Sequence, residues 1–368
     1  MLEYMTQCRR DLHRIPELEQ HLPETCAYVK AQLAALSCTV LEPTEGSVCA
    51  YFDEGKAETA AFRADMDALP VTEETGLPFA SRHPGRMHAC GHDGHTALLL
   101  GFARRVEARR GSLGRNVLLI FQPAEENPGG ARPLCESGIL ERCRVSHIFG
   151  LHLWPGLPAG EIYTRPGPMM AKSSEIDVTF RGKSVHISRW REGADSLLAA
   201  AEYLRRVYDM EAREFPPETA RLLRFGRAEG GVIRNAVAAE TVLRGTLRAF
   251  TLEDFDRLRR RCEEIAAETA AEHGCTASAA FSEGYPPVTN DPALLARIEA
   301  QLGKNGPKRY AGLALTTEDF AWYQQYVPGV FFFLGVGNTA ELHSPRFTFD
   351  ERVLEQGLAL YEKLLDLK

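Results

Sequence analysis

The chain predicts an α/β fold in two parts: a domain with a central sheet between helices, and a ferredoxin-like α+β unit inserted into it. Three observations carry this. Helix and strand patterns alternate through the first part, residues 174–282 follow the order β-α-β-β-α-β, and a strand flanked by helices follows to the end. The implied division is one discontinuous domain, 1–173 with 283–368, and one insert, 174–282.

Residues 3–14 and 23–36 carry helical patterns. SVCAYFDEG and TAAFRADMDALP read as strands, the second ending in acids and Pro70. HTALLLGFARRVEARRG is a helix stopped by Gly111. NVLLIFQPAEE and HIFGLHLWP read as buried strands, the first broken at Pro123. In sheets of this kind, sites gather beyond the carboxyl ends of the strands, where the polar clusters of this chain fall. In the insert, SSEIDVTF alternates like a half-exposed strand and GADSLLAAAEYLRRVYDM is an amphipathic helix. ARLLRFGRAEGG and ETVLRGTLRAF are two more strands. A long helix follows, with Thr251 and Asp254 placed as a capping box and Gly274 at its end, and TASAAFSE closes the set. The C-terminal piece holds a helix near 291–303, the strand VFFFLGVG and a last helix from about Asp350.

At 368 residues the chain suits two domains, and 44% hydrophobic with 25% charged residues is the composition of a globular protein. The net charge of −7 and the lack of a basic block argue against nucleic acid and anionic membrane as partners. The first residues lack the apolar core of a signal peptide, and VPGVFFFLGVG is too short to span a bilayer. Nine cysteines without CxxC pairs point to reduced thiols and a cytoplasmic location.

The richest segment is MHACGHDGH, residues 87–95, which packs Cys90, His92 and Asp93 into one turn-prone stretch. Thiolate and imidazole suit zinc and similar divalent ions. FQPAEE sets Glu125 and Glu126 at the end of an apolar strand, where adjacent carboxylates repel and a cation reverses that cost. Neighbouring residues leaving a strand point in different directions, so one acid can bind metal while the other faces a water. His152 follows IFGL, and His343 sits in ELHSPRF after a Gly-rich strand. Asp65 and Asp67 offer acids that hold a ligand histidine in one tautomer, or pair with Arg63.

The ordered set RADMDALP, MHACGHDGHTA, IFQPAEE, GLHLWP, GGVIRNA, RGTLRAF, TEDF and LHSPRF resembles the aminoacylase / carboxypeptidase G family of metallo-amidohydrolases. Within it, the chain is similar to the branch of hippurate hydrolases, auxin-conjugate hydrolases and N-acetyl-diaminopimelate deacetylases. The likeness runs from about residue 8 to the C-terminus. It implies two divalent ions (Zn, Mn, Co or Ni) held by Cys90, His92, Glu126, His152 and His343. It further implies Glu125 as general base and Asp67 as the acid orienting part of the metal site. The insert becomes a lid that forms a homodimer. His186 then stabilises the oxyanion, often across the dimer, and Asn235 and Arg248 contact polar groups of the substrate. The expected substrate is an N-acyl-amino acid of acetyl or benzoyl type, with a dipeptide as the alternative. One departure stands out. The branch continues after the lid histidine with Ala-Ala-x-Pro-His, whereas here His186 is followed by Ile-Ser-Arg-Trp-Arg-Glu-Gly, so that Arg189, Trp190 and Arg191 either reshape the pocket or lie exposed.

Two rivals remain at this level. One is a thiol enzyme with Cys90 as nucleophile, which would not need the acids or His343. The other is a non-catalytic metal-binding dimer, against which stands the retention of Glu125 with every ligand. A zinc deaminase is excluded because no H-x-E…P-C-x-x-C arrangement occurs.

Overall fold

The computed structural model describes every residue except Pro217. The chain begins with α1 (Leu2–His13) and α2 (Pro23–Leu33), then β1 (Thr39–Leu41), β2 (Val48–Phe52) and β3 (Thr59–Asp65). Next come α3 (His92–Ala108), β4 (Asn116–Gln122), α4 (Ala131–Glu136), α5 (Ile139–Arg142), β5 (Val145–Trp154) and β6 (Ile162–Thr164). Short β7 (Gly167–Met170) precedes β8 (Lys172–Arg181), α6 (Ser196–Glu214), β9 (Arg221–Gly230), β10 (Glu240–Ala249), α7 (Leu252–Glu272) and β11 (Thr276–Phe281). After β12 (Val288–Asn290) come α8 (Pro292–Leu302), β13 (Lys308–Arg309), β14 (Gly329–Gly335) and α9 (Leu354–Leu365). No helix is long and apolar enough to cross a membrane.

Two compact units result. Unit 1 comprises Met1–Gly167, Thr289–Ala311 and Asp319–Lys368; unit 2 comprises Pro168–Val288 and Gly312–Glu318. Unit 2 is therefore wider than residues 174–282. Its extra segments are tied by backbone bonds from Ala171 N–H to Ala314 O and Thr316 O, both 3.1 Å, which join residues more than a hundred positions apart and leave no local signal.

Unit 1 is built on an eight-stranded sheet in the order β1-β2-β4-β3-β5-β14-β6-β13. Its centre, β4-β3-β5-β14, is parallel, and β2 and β6 join antiparallel on either side. The four central strands are buried on both faces, which is why they read as near-continuous apolar runs. On one face Phe62 meets Phe102 of α3 at 4.6 Å and Tyr361 of α9 at 5.0 Å between ring centroids. Burying such a ring stabilises by roughly 1.5–3 kcal/mol. On the other face Phe331 of β14 packs on Phe320. Gly150 is required there, since a Cβ would stand 2.7 Å from Phe331 and 2.8 Å from Phe320.

Unit 2 contains a four-stranded antiparallel sheet, β11-β8-β10-β9, the strand order of a ferredoxin-like unit. Both α6 and α7 pack on it around Ile176, Val178, Phe180, Tyr203, Leu243 and Leu258. Asp195 caps α6 by accepting from Leu197 N–H and Leu198 N–H. Thr251 caps α7 by accepting from Asp254 N–H at 3.1 Å, a bond worth about 1 kcal/mol. The Asp254 carboxylate accepts the Thr251 hydroxyl at 2.8 Å. Gly274, at φ +64°, ends that helix in the left-handed region that favours glycine.

One local expectation is corrected. The histidine-rich stretch is only half turn: α3 starts at His92, so His92, Asp93 and His95 lie in its first turn. Gly91 at φ +86° makes the bend, and Leu153 stands 3.0 Å from where its Cβ would be.

Candidate metal centre

The carboxyl ends of the four parallel strands and the N-terminus of α3 converge in unit 1. After β3 comes Asp67, after β4 come Glu125 and Glu126, near the end of β5 is His152, and eight residues beyond β14 is His343. Cys90 and His92 enter from the α3 turn. Ligand atoms of Cys90, His92 and His152 all lie within 4.8 Å of one another, as do those of Cys90, Glu126 and His343, and those of His92, Glu125 and Glu126. The shared members join these into one cluster. Two backbones are bent to allow it: Ala124 has φ +57° and His343 φ +66°, conformations that cost non-glycine residues energy and that cluster at functional sites.

The imidazole tautomers are readable. His92 Nδ1 donates to Asp67 O at 2.9 Å, and His152 Nδ1 donates to Leu153 O at 2.6 Å. Each ring therefore presents Nε2 to the cluster. His92 Nε2 is buried with no hydrogen-bond partner among the described residues, and His152 Nε2 lies 3.4 Å from Cys90 Sγ. Glu126 Oε1 is likewise buried without a partner in hydrogen-bond geometry, although His343 Nε2 is 3.2 Å away. Unpaired buried acceptors of this kind are costly unless a cation meets them.

The charge balance points the same way. Burial, then the charges of Glu126 and Glu125, push the Cys90 thiol well above its usual range, so it is a poor free nucleophile. Burial pulls His92 down, but Asp65, Asp67 and Glu126 outweigh it and raise it to about 10. A surplus of negative charge thus draws a proton onto the ring, and a divalent cation bound there would take that proton's place. Burial and the neighbouring His95 keep His152 neutral, the ligand form. Thiol, imidazole and carboxylate together suit a borderline ion such as zinc.

Asp67 holds this arrangement from beneath. Its Oδ1 accepts Glu125 N–H and its Oδ2 accepts Glu126 N–H, each at 3.0 Å, while its carbonyl fixes His92. Behind it runs a buried network that sequence reading left largely unassigned. Arg63 donates to Asp65 Oδ2 and to Asp319 Oδ1, both at 2.7 Å. Asp65 Oδ1 accepts His95 Nδ1 at 2.6 Å, and His95 Nε2 accepts Leu153 N–H at 2.9 Å, next to His152. Asp319 accepts from Gln122 Nε2, Gly130 N–H and Ala131 N–H. The motif TEDF was the one available signal for Asp319. Of the RADMDALP acids, Asp65 pairs with Arg63, and Asp67 bonds the backbone of Glu125 and Glu126 while its carbonyl accepts from His92.

The first turn of α3 is anchored by a second buried network. Asp93 Oδ2 accepts Arg9 Nε at 3.1 Å and His13 Nδ1 at 2.8 Å, and His13 Nε2 meets Glu73 Oε1 at 3.3 Å. Burial lowers the His13 pKa, but Asp93 and Glu73 outweigh it and raise it from 6.5 to about 9. A raised pKa gives stability that is complete below the unfolded value and lost as pH rises through the folded one. The stability advantage of the parent over His13→Gln, measured by denaturant unfolding of metal-free protein, is expected to fall between about pH 6 and about pH 10, by on the order of 3 kcal/mol. An advantage that stays level across that range would contradict a charged His13.

The remaining predicted residues lie in unit 2. His186 and Asn235 are exposed and adjacent, since Ile187 N–H donates to Asn235 O at 2.9 Å. Arg248, whose Nε is buried and unpartnered among the described residues, is not with them. It pairs with Ser173 and Leu222 at the far end of β10. Eight strand residues separate it from Glu240, roughly 27 Å.

Residues 61–367 match Peptidase family M20/M25/M40. The chain is 35% identical to an IAA-amino acid hydrolase ILR1-like 4 of Arabidopsis thaliana, covering 100% of this chain and 87% of that one. It is 33% identical to an N-acetyldiaminopimelate deacetylase of Exiguobacterium sibiricum, covering 96% of each. Among solved structures it is similar to the Bacillus subtilis YXEP protein, a dinuclear metal-binding peptidase of the M20 family. That match has a TM-score of 0.88 and 32% identity, over 99% of this chain and 97% of that one. With a thiol, imidazole and carboxylate cluster at the strand ends and relatives that span nearly the whole chain, the protein belongs to Peptidase family M20/M25/M40 and is a hydrolase of C–N amide bonds.

Proposed function

We propose that the protein hydrolyses the amide of an N-acyl-amino acid, of acetyl or benzoyl type, with two divalent ions held by Cys90, His92, Glu126, His152 and His343. The observation that carries this is the single cluster of these five residues with Glu125 beside them. The relatives' names describe an IAA-amino acid hydrolase and an N-acetyldiaminopimelate deacetylase, which supports an N-acyl-amino acid as the substrate here. Zinc, manganese, cobalt and nickel all suit the donor set. Such ions polarise the amide carbonyl and make water acidic enough to react near neutral pH. Glu125 takes the proton from the attacking water and returns it to the leaving nitrogen. Asp67 keeps that carboxylate in place through the backbone of its turn. His186 donates a hydrogen bond where charge develops on the amide oxygen.

We further propose that two chains associate through unit 2, with β9 as edge strand and Leu197, Leu198, Val232 and Ile233 exposed nearby. His186 then acts in the partner's site. The separation of Arg248 from His186 and Asn235 supports this, because one small substrate cannot span a strand's length. All nine cysteines are free, which supports a reducing, cytoplasmic setting.

Arg248 and Asn235 are proposed to bind polar ends of the substrate, its carboxylate among them. A panel of N-acetyl- and N-benzoyl-amino acids is therefore expected to be cut at least about tenfold faster than the matching carboxamides. Removing the charge leaves a buried cation unpaired. Equal rates for acids and amides would refute carboxylate recognition. Faster cleavage of unblocked dipeptides would move the assignment to a peptidase.

A further inference from the structure

The turn after His186 departs from the pattern that the chain otherwise resembles. Where that pattern has two alanines, this chain has Ile187 and Ser188, and unit 2 winds residues 187–192 into a short 3-10 turn. His186 caps the turn. Its Nδ1 accepts the backbone N–H of Ser188 at 3.3 Å, and Ser188 Oγ stands 2.8 Å from the same nitrogen. A backbone amide can only donate, so Nδ1 carries its lone pair there and no proton. The serine hydroxyl, free to rotate, then also donates to it. In a neutral imidazole one nitrogen donates and the other accepts, so the proton sits on Nε2. That nitrogen makes no hydrogen bond among the described residues, and the ring is exposed.

The backbone under the ring is fixed independently. Val237 N–H donates to Val185 O and Ile187 N–H to Asn235 O, both at 2.9 Å, so a two-stranded ladder brackets His186. The neighbouring arginines do not compete for it. Arg189 is paired with Glu192, which offsets its charge, and Arg191 lies over the Trp190 ring at 4.6 Å.

We infer that Ser188 is a positioning residue for the reaction proposed above: its hydroxyl, donating to the Nδ1 that the Ser188 backbone N–H keeps unprotonated, holds the ring at one angle and so aims the Nε2–H as a donor. The inference rests on the assignment of His186 as the oxyanion donor. With its proton on Nδ1 the ring would turn a lone pair toward the developing charge and repel it. An alanine at 188 leaves the backbone amide as the one donor of this turn to Nδ1; the hydroxyl adds a second.

The test uses the full-length, metal-loaded enzyme with 15N-labelled histidine. Long-range 1H–15N spectra report the tautomer, and His186→Ala assigns the signal. The parent is expected to show the proton on Nε2. Ser188→Ala, which keeps the backbone donor, is expected to leave the proton on Nε2 and to lower kcat about 2- to 10-fold with KM unchanged, the range of one hydrogen bond. Ser188→Thr, which keeps the hydroxyl, is expected to restore kcat. A proton on Nδ1 in the parent, an unaltered kcat in Ser188→Ala, or no rescue by threonine would each overturn the inference. If His186→Ala is inactive while Ser188→Ala matches the parent, the assignment of His186 stands and Ser188 does not position it. Full activity in His186→Ala overturns both.

Discussion

Glu125→Gln is expected to lose ~100- to 10,000-fold in kcat while keeping the fold and both metals. The change is nearly isosteric and removes only the proton acceptor. The Asp67 carboxylate bonds the backbone N–H of residue 125, so the turn should survive the substitution. Glu126→Gln is expected to behave differently. Its Oε1 is the buried, unpartnered oxygen facing His92 and His343, so its loss should lower metal content before it touches proton transfer. Turnover and metal content, measured side by side on both variants, separate these roles. Reversed phenotypes would overturn the division of labour. Mixed dimers offer a further readout: two inactive chains, Glu125→Gln and His186→Ala, should recover activity together if His186 works in trans, and should not if each chain is complete.

Prolonged chelation is expected to abolish hydrolysis, and added manganese or zinc to restore it. The apo cluster keeps uncompensated negative charge and orphaned acceptors, so the ion should stabilise the fold as well as enable the chemistry. A ligand at 1,000 times its Kd adds about 4 kcal/mol to stability, so the melting temperature should rise on reloading. That readout is independent of activity. Full activity in a rigorously metal-free sample would overturn the metal-dependent reading. A thiol mechanism makes a different demand: alkylating Cys90 in the loaded enzyme should then kill activity with metal still bound. The buried, raised thiol argues against that outcome.

Much of this protein is legible in its sequence because the signals are local. Strands β3, β4, β5 and β14 read as apolar runs because both their faces are covered. The insert reads as β-α-β-β-α-β because each element has its own period and caps, such as Thr251 and Gly274. The polar clusters at the strand ends drew attention to Cys90, His92, Glu125 and Glu126, while the resemblance carried by the ordered motifs is what joined His152 and His343 to them.

What the tertiary structure alone decided is how these groups meet. Asp67 and the peptide groups of Glu125 and Glu126 are 58 and 59 residues apart, and no periodicity joins them. Asp319 reaches Arg63 across 256 residues, and Asp93 draws His13 and Arg9 across 80 and 84. Such pairs form because burial strips water from polar groups and each must find a partner, wherever in the chain that partner lies. The same holds for the limits of unit 2, set by backbone bonds from Ala171 to Ala314 and Thr316, and for the distance that parts Arg248 from His186. Sequence alone determined the residue types and the elements that carry them, because hydrophobic period and turn chemistry act over a few residues. Tautomers and shifted charges were decided by packing, because they depend on which atoms share a buried space.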